Sequence, residues 1–421
     1  MLFPIDKSPL TTQKEEGFSS SPEGKEFLDK AEKAKKARSL FSFCAFHFLD
    51  DGFTDSIYLL LPFIAAELNL SFSEVGLLKG AFSASMSLFQ VPLSLLGEKV
   101  GELTVIAGGT LGLAGGFLVL SRVYTFPAIF LSLVLGKGTA AGQHSLSSSV
   151  LSRVFEVSGR RAAMGTFNFS GDIGKVCLPF LVAVMINLWD WRHAIFVLSM
   201  GGFLAAATLW GLAGKEKSRL PFPIPGEKLT LEERGWGIKD RKGFSALLTI
   251  GIIDNSTRTA LLTFLPFLLL RKGIPVAQIG FGLTLLFGGG ALGKFACGLL
   301  AEWFGIIPMV VATEALTAAG ILCVFWVPSS FIWIILPFLG IMLNGTSSVL
   351  YATVAEIISP VARSRGYGLY YAVTLGFGAI SPVAYGLLTD SFGLSFTMTS
   401  IAFVVLLTIP LSRCLSKSDN V

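Results

Sequence analysis

His47, Asp50, Asp51, Thr54, Asp55 and Tyr58 fall at i, i+3, i+4, i+7, i+8 and i+11 inside one strongly apolar stretch. On a helix that spacing puts all six on one face. Three carboxylates within six residues repel one another, which favours one of them holding a proton. A carboxylate that binds a proton on one side of a membrane and releases it on the other can couple that movement to a second solute. Asp50, Asp51 and Asp55 are therefore proton-coupling candidates, and changing Asp51 to Asn is expected to abolish coupling. Ion pairs with buried cations such as Lys137 or Lys79 are the competing reading.

Further polar residues interrupt other apolar stretches. Lys137, Gln143, His144 and Ser148 lie in one; Asn168, Asp172 and Lys175 lie in another at i, i+4 and i+7. Asp254 and Arg258 are i, i+4, the spacing of an ion pair. Lys294 and Lys79 stand more alone. Asp172 joins the proton-coupling candidates, and Asp172 with Lys175 can equally serve as a neutralising pair. An ionised group at the centre of a bilayer costs about 2.5–3.5 kcal/mol on insertion scales, so lipid cannot host these faces. They must point into a helix bundle or a wet cavity.

The elements that position them are membrane-spanning helices. The chain has 421 residues, 52% hydrophobic and only 14% charged, with 36 Phe. Twelve apolar stretches of spanning length are predicted: 40–66, 73–96, 102–121, 126–152, 161–187, 193–213, 244–270, 275–300, 306–326, 331–357, 364–388 and 394–413. Gly108, Gly112 and Gly116 on span 3, and Gly288, Gly289, Gly290 and Gly293 on span 8, predict close helix contacts. Lys and Arg concentrate in the segments that face the cytoplasm if the N-terminus is inside, which predicts both termini cytoplasmic in a plasma membrane, a bacterial inner membrane being expected. Residues 1–39 form a polar N-terminal tail, disordered or loosely helical; 214–243 form a cytosolic linker; 414–421 form a second tail.

The sequence also repeats. Asp50, Leu61-Pro62-Phe63, Gly76, Glu98 and Gly101 recur 204 residues later as Asp254, Leu265-Pro266-Phe267, Gly280, Glu302 and Gly305. Arg160, Gly165 and Pro179 recur at a spacing of 203 as Arg363, Gly368 and Pro382. The fold expected is all-α and integral to the membrane, with twelve transmembrane helices in two homologous six-helix bundles, 40–213 and 244–413.

Two short loops sharpen this. Leu95-Leu96-Gly97-Glu98-Lys99-Val100-Gly101 follows span 2, and Gly298-Leu299-Leu300-Ala301-Glu302-Trp303-Phe304-Gly305 follows span 8. Both resemble the inner-loop signature of the major facilitator superfamily, with Glu in place of the usual Asp. The resemblance implies that Glu98, Lys99, Gly101, Glu302 and Gly305 latch the two bundles on the cytosolic side. Gly136 to His144, Gly159-Arg160-Arg161 and Phe167 to Asp172 are similar to the fosmidomycin-resistance branch of that superfamily, although Ser145 replaces the Pro that branch carries. In the superfamily, spans 1, 4, 7 and 10 line a central path. The resemblance thus implies a substrate cavity built from His47, Lys137, Gln143, His144, Asp254, Arg258, Lys294, Asn344 and Tyr351.

The expected function is secondary active transport of a small molecule by alternating access, proton-coupled, with export of a drug or small anionic or amphipathic compound favoured. Import by the same fold, a divalent-metal carrier using His47 and His144, and a non-transporting membrane receptor are the alternatives. The chain lacks His-Glu-x-x-His, Gly-x-Ser-x-Gly and Walker patterns, so no enzyme, cofactor, bound metal or ATP drive is expected. The expected partners are a small-molecule substrate, protons and the lipid bilayer. No nucleic acid is expected, and a monomer is favoured.

Overall fold

The computed structural model describes residues 22–155, 160–213, 238–358 and 363–415. Residues 1–21 of the N-terminal tail, 214–237 of the linker and 416–421 of the C-terminal tail lie outside the described residues. So do the side chains of Glu98, Arg153, Arg160, Arg161, Arg363 and Arg365.

Helices α1 (Pro22–Leu68), α2 (Phe72–Val100), α3 (Glu102–Leu120), α4 (Phe126–Thr139), α5 (Gln143–Val154), α6 (Arg160–Leu188) and α7 (Trp191–Ala213) form the first half. The second half consists of α8 (Arg241–Arg271), α9 (Val276–Phe304), α10 (Ile306–Trp326), α11 (Ile332–Ile357), α12 (Arg363–Phe392), α13 (Leu394–Val405) and α14 (Thr408–Ser412). The fourth predicted span is broken into α4 and α5, and the twelfth into α13 and α14. Eight helices are long and apolar enough to cross a membrane by length and composition. Spans 1, 2, 4 and 7 fall short of that test: α1, α2 and α8 carry too much charge or too little hydropathy, and α4 and α5 are each too short.

α1 runs unbroken across the expected tail boundary. Lys30–Glu26, Lys33–Asp29 and Lys36–Glu32 pair at 2.7, 2.7 and 2.6 Å, each acid four residues before its base. That order suits a helix, and each exposed pair is worth only a few tenths of a kcal/mol.

The two halves meet along α2 with α12 and along α6 with α9. Lipid gives no hydrophobic drive between spans, so close backbone approach has to supply the contact. A side chain at Gly76 would collide with the Pro382 backbone, and one at Gly280 with Ala183 beside the Pro179 carbonyl. Gly76 and Gly280 are one repeat pair; Pro179 and Pro382 are the other. Each Gly therefore packs against the Pro region of the opposite half, and the repeat is written into the interface itself. Within the first half the expected small-residue ladder holds at two rungs, and its first rung moves from Gly108 to Gly109. Gly109, Gly112 and Gly116 meet α4, whereas Gly108 faces open space.

The named bundle-to-bundle contacts lie toward the end that carries the α1–α2 turn. There Asp390 accepts from the Phe72 and Ser73 amides at 2.8 and 2.9 Å, and Phe72 packs edge-on to Phe264 and Phe267. Arg192 pairs with Glu67 at 2.7 Å and lies over the Tyr124 ring. Toward the other end, α2 exposes Leu88, Phe89, Val91, Leu95 and Leu96, and α9 exposes Phe295, Leu299 and Trp303.

Candidate functional site

The break in span 4 builds the centre of the first half. At Ala140, Ala141 and Gln143 the amides bond three residues back rather than four, to Lys137, Gly138 and Ala140. This tight turn lets Lys137 and His144, on either side of it, both reach α1. Lys137 Nζ donates to both oxygens of Asp50 at 3.1 Å and to Thr54 Oγ1 at 2.8 Å. Both partners of that ion pair are sealed, with Asp50 and Lys137 each 1% exposed.

From Asp50 the charges run on without a gap. His144 Nε2 lies 3.6 Å from Asp50 Oδ2 and 3.4 Å from Asp51 Oδ1. Lys175 Nζ lies 3.1 Å from Asp51 Oδ2 and 3.5 Å from Asp172 Oδ1. Lys294 of α9 then donates to Asp172 Oδ1 at 2.6 Å. The chain Lys137–Asp50–His144–Asp51–Lys175–Asp172–Lys294 thus crosses from α4 through α1 and α6 into the second half.

His47 hangs beside this chain. Its Nδ1 faces the Phe167 carbonyl at 2.8 Å, which can only accept, so Nδ1 carries the hydrogen. Its Nε2 lies 3.3 Å from Asp51 Oδ2, buried and without a hydrogen-bond partner. His47 Nε2, Asp51 and His144 Nε2 also lie within 4.8 Å of one another, a donor set that suits a transition metal. The Lys175 and Lys137 ammoniums already neutralise the two adjoining carboxylates, which opposes a divalent ion. Gln143 is buried with neither amide atom bonded to a described residue.

Asp55 differs from its neighbours. It is half-buried and has neither a hydrogen bond nor an ion pair among the described residues. Lys79 also lacks a carboxylate partner within 4 Å among the described residues. It donates to Ser83 Oγ at 2.7 Å and lies 4.6 Å above the Tyr58 ring.

The second half is arranged otherwise. The sequence pairs Asp254 with Arg258, but the structure does not put them in direct contact. Arg258 donates to Asn255 Oδ1 at 2.6 Å and to Ser347 Oγ at 3.1 Å, and Ser347 donates in turn to Asp254 Oδ2 at 3.4 Å. Asn255, three residues before Arg258, takes the guanidinium that the i, i+4 carboxylate was expected to hold. Tyr351 stands beside this group, its ring 5.0 Å from Tyr371 and 5.8 Å from Tyr370. Asn344 is not brought to it. Its amide donates to Gly340 at 3.3 Å within its own helix and presses on Gly290 of α9.

The expected latch residues sit at the helix junctions. Gly101 (φ 101°) ends α2 and Gly305 (φ 85°) ends α9, both in backbone conformations that favour glycine. Lys99 and Glu302 are exposed there and make no bundle-to-bundle contact with a described residue.

Two features escaped sequence reasoning. One is Glu314 on α10, at 1% exposure within an apolar helix. A lone acid inside so apolar a span was signal enough to find it. The other is a groove of about 440 Å³ at the seam of α6 and α9, lined by Phe169, Ile173, Val176, Leu292 and Phe295, with Asp172 on its wall. No single stretch of sequence contains it.

Known proteins agree with this architecture. The sequence profile of the Major Facilitator Superfamily matches twice, over residues 41–253 and 247–419. The chain is 22% identical over 374 residues to the fosmidomycin resistance protein of Escherichia coli (strain K12), covering 86% of this chain and 88% of that one. It is 24% identical over 368 residues to an uncharacterised MFS-type transporter of Bacillus subtilis (strain 168), with the same coverage, 86% and 88%. Its fold is similar to that of a bacterial homologue of the human lysosomal transporter Spinster, crystallised inward-facing and unoccupied. The TM-score is 0.76 at 17% identity, over 91% of this chain and 98% of that one. A mutant of the nucleoside transporter NupG matches at TM-score 0.73 and 13% identity, over 90% and 100%. Two matched halves, helices without a named strand, and buried charge at the centre of each half lead to one assignment: this chain belongs to the Major Facilitator Superfamily.

Proposed function

We propose that this protein is a proton-coupled exporter of a small amphipathic or anionic compound, working by alternating access in the plasma membrane with both termini in the cytoplasm. The observation that carries the reading is the buried ion chain ending on Asp172–Lys294. It ties proton-binding groups of the first half to a cation of the second, so a change of protonation on one side alters a contact between the halves. With that topology the contacts among α1–α2, α8 and α12 close the outer end, and the exposed faces of α2 and α9 border an inward opening.

Asp55 is the group we assign to carry the exchanged proton, because Asp50 and Asp51 are held by Lys137 and Lys175 while Asp55 has no partner among the described residues. Substrate would occupy the space between this cluster and Arg258 with Tyr351. The apolar groove beside Asp172 suits an amphipathic molecule, and the relative named for fosmidomycin resistance favours drug export. Proton and substrate are linked thermodynamically, since each shifts the two-state equilibrium only by its differential binding.

The test is accumulation and resistance in an efflux-deficient bacterial host expressing the chain. The panel holds phosphonate antibiotics and lipophilic cations, with and without a protonophore. Lower accumulation that the protonophore reverses, and that Asp55→Asn abolishes, is the expected result. Import of a panel member, or export indifferent to the protonophore, would overturn the reading.

A further inference from the structure

Glu314 stands outside every contact described so far. It lies on α10, at 1% exposure, and neither a hydrogen bond nor an ion pair joins it to any described residue; its Oε1 is buried and partnerless. The hydroxyl of Thr317, one turn on and on the same face, is equally buried and unbonded, and so is that of Thr257 on α8. Thr313, next to Glu314, bonds instead to Thr346 of α11 at 2.7 Å. An ionised carboxylate in such a place would cost several kcal/mol, on the order of the penalty for an uncompensated buried charge.

The surroundings offer little compensation. α13 and α14, which pack on α10, carry no titratable side chain. α11 brings Tyr351 and Glu356, and α9 brings Lys294, Cys297 and Glu302, with Lys294 committed to Asp172. The charged groups that act on Glu314 are Asp254, which is acidic, and Arg258, which is engaged by Asn255 and Ser347. Among the described residues at the centre of the two bundles, six carboxylates face five fixed cations. The carboxylates are Asp50, Asp51, Asp55, Asp172, Asp254 and Glu314; the fixed cations are Lys79, Lys137, Lys175, Lys294 and Arg258. Glu314 is the most deeply enclosed of the carboxylates that lack a partner.

We infer that Glu314 is a second proton-binding site, carried by the C-terminal bundle and loaded in the conformation seen here. The step is a simple proton equilibrium. A proton from water adds to the Glu314 carboxylate on loading. It returns to water when Arg258 leaves Asn255 and Ser347 and supplies the positive charge in its place. The inference deepens the proton-coupling reading, on which its role in transport rests.

The experiment is infrared difference spectroscopy on the full-length protein in nanodiscs, following the carbonyl stretch of protonated carboxylic acid as pH is raised. The expected result is a band at neutral pH that Glu314→Gln removes, that Glu314→Asp shifts, that Asp55→Asn leaves in place, and that disappears reversibly in alkali. Gln mimics the protonated acid in shape, so the variant is expected to keep the wild-type melting temperature at neutral pH. A band unchanged by Glu314→Gln overturns the inference. So does one that is removed by Glu314→Gln but does not titrate before the protein unfolds, and so does a Glu314→Gln variant that melts many degrees lower at neutral pH only. No substrate enters the measurement, so failure of the export assay and failure of this assignment are separate results.

Discussion

Asp50 and Asp254 occupy the same position in two copies of one ancestral unit, yet their surroundings have diverged. Asp50 is clamped by Lys137 from another helix and joined in one chain to five further charged or titratable groups. Asp254 reaches its nearest cation only through the Ser347 hydroxyl. Asp50 thus has its charge met directly by a cation, whereas Asp254 has its charge met only at second hand. A fully satisfied buried pair holds its helices in one geometry. One with an unfilled demand responds to whatever cation, proton or substrate arrives.

The comparison breaks most visibly at its strongest contact. Lys137→Met leaves Asp50 charged and enclosed, and is expected to cost about 3–5 kcal/mol. The melting temperature measured by fluorescence-detected size exclusion should fall accordingly, and adding Asp50→Asn should restore most of it. Asp254→Asn should cost far less, on the order of 1 kcal/mol, because only one long hydrogen bond is lost. Equal losses in the two halves would dissolve the contrast.

Asp55→Asn comes next. It is expected to abolish protonophore-sensitive export without lowering the melting temperature, since no ion pair of Asp55 is broken. A variant that still exports against a gradient would return the proton role to His47 and Asp51. Lys294→Met should shift the balance between conformations by about tenfold, the equivalent of ~1.4 kcal/mol. Labelling of a cysteine introduced at Leu95 would report the shift, and an unchanged rate would make the Asp172–Lys294 pair incidental.

The smallest effect lies outside the bilayer. Asp190 caps α7 by accepting from the Arg192 and His193 amides at 2.8 and 2.9 Å. These bonds, the His193 amide foremost, hold its carboxyl below the usual carboxylate range. A depressed value in the folded state means that its contribution is present at neutral pH and is lost as pH falls through the folded value. Asp190→Ala should therefore cost about 1 kcal/mol at neutral pH and nothing in strong acid. A loss independent of pH would remove the cap from the explanation.

Much of this was legible beforehand because hydropathy writes spans in long, redundant stretches. The single polar face of His47 to Tyr58 could be drawn from spacing alone, and it does meet Lys137 and His144. What spacing cannot give is the partner on another helix. Asp254 and Arg258 were correctly placed one turn apart, yet Asn255 at i, i+3 and Ser347 from α11 took the contacts. Asn344 shared the right span but turned toward α9, since one residue rotates the side chain by about 100°. The Gly-rich stretch at 136–142 signalled resemblance, whereas its physical consequence, a break that lets one span present Lys137 and His144 to α1, appears only with the backbone. Glu314 was hidden by its own neighbours, whose hydropathy drew attention to the span and away from the acid.

α1 is 47 residues long, about 70 Å at 1.5 Å per residue, against roughly 30 Å of hydrocarbon. The same rigid rod that bears Asp50, Asp51 and Asp55 therefore extends well into the aqueous phase, stiffened by its three ion pairs. It acts as an indicator needle. A tilt of about ten degrees at the protonated segment sweeps the far end through several ångströms, given that length. Any tilt of α1 between conformations would therefore be magnified at its N-terminal end, where a spin label near Lys30 would read it.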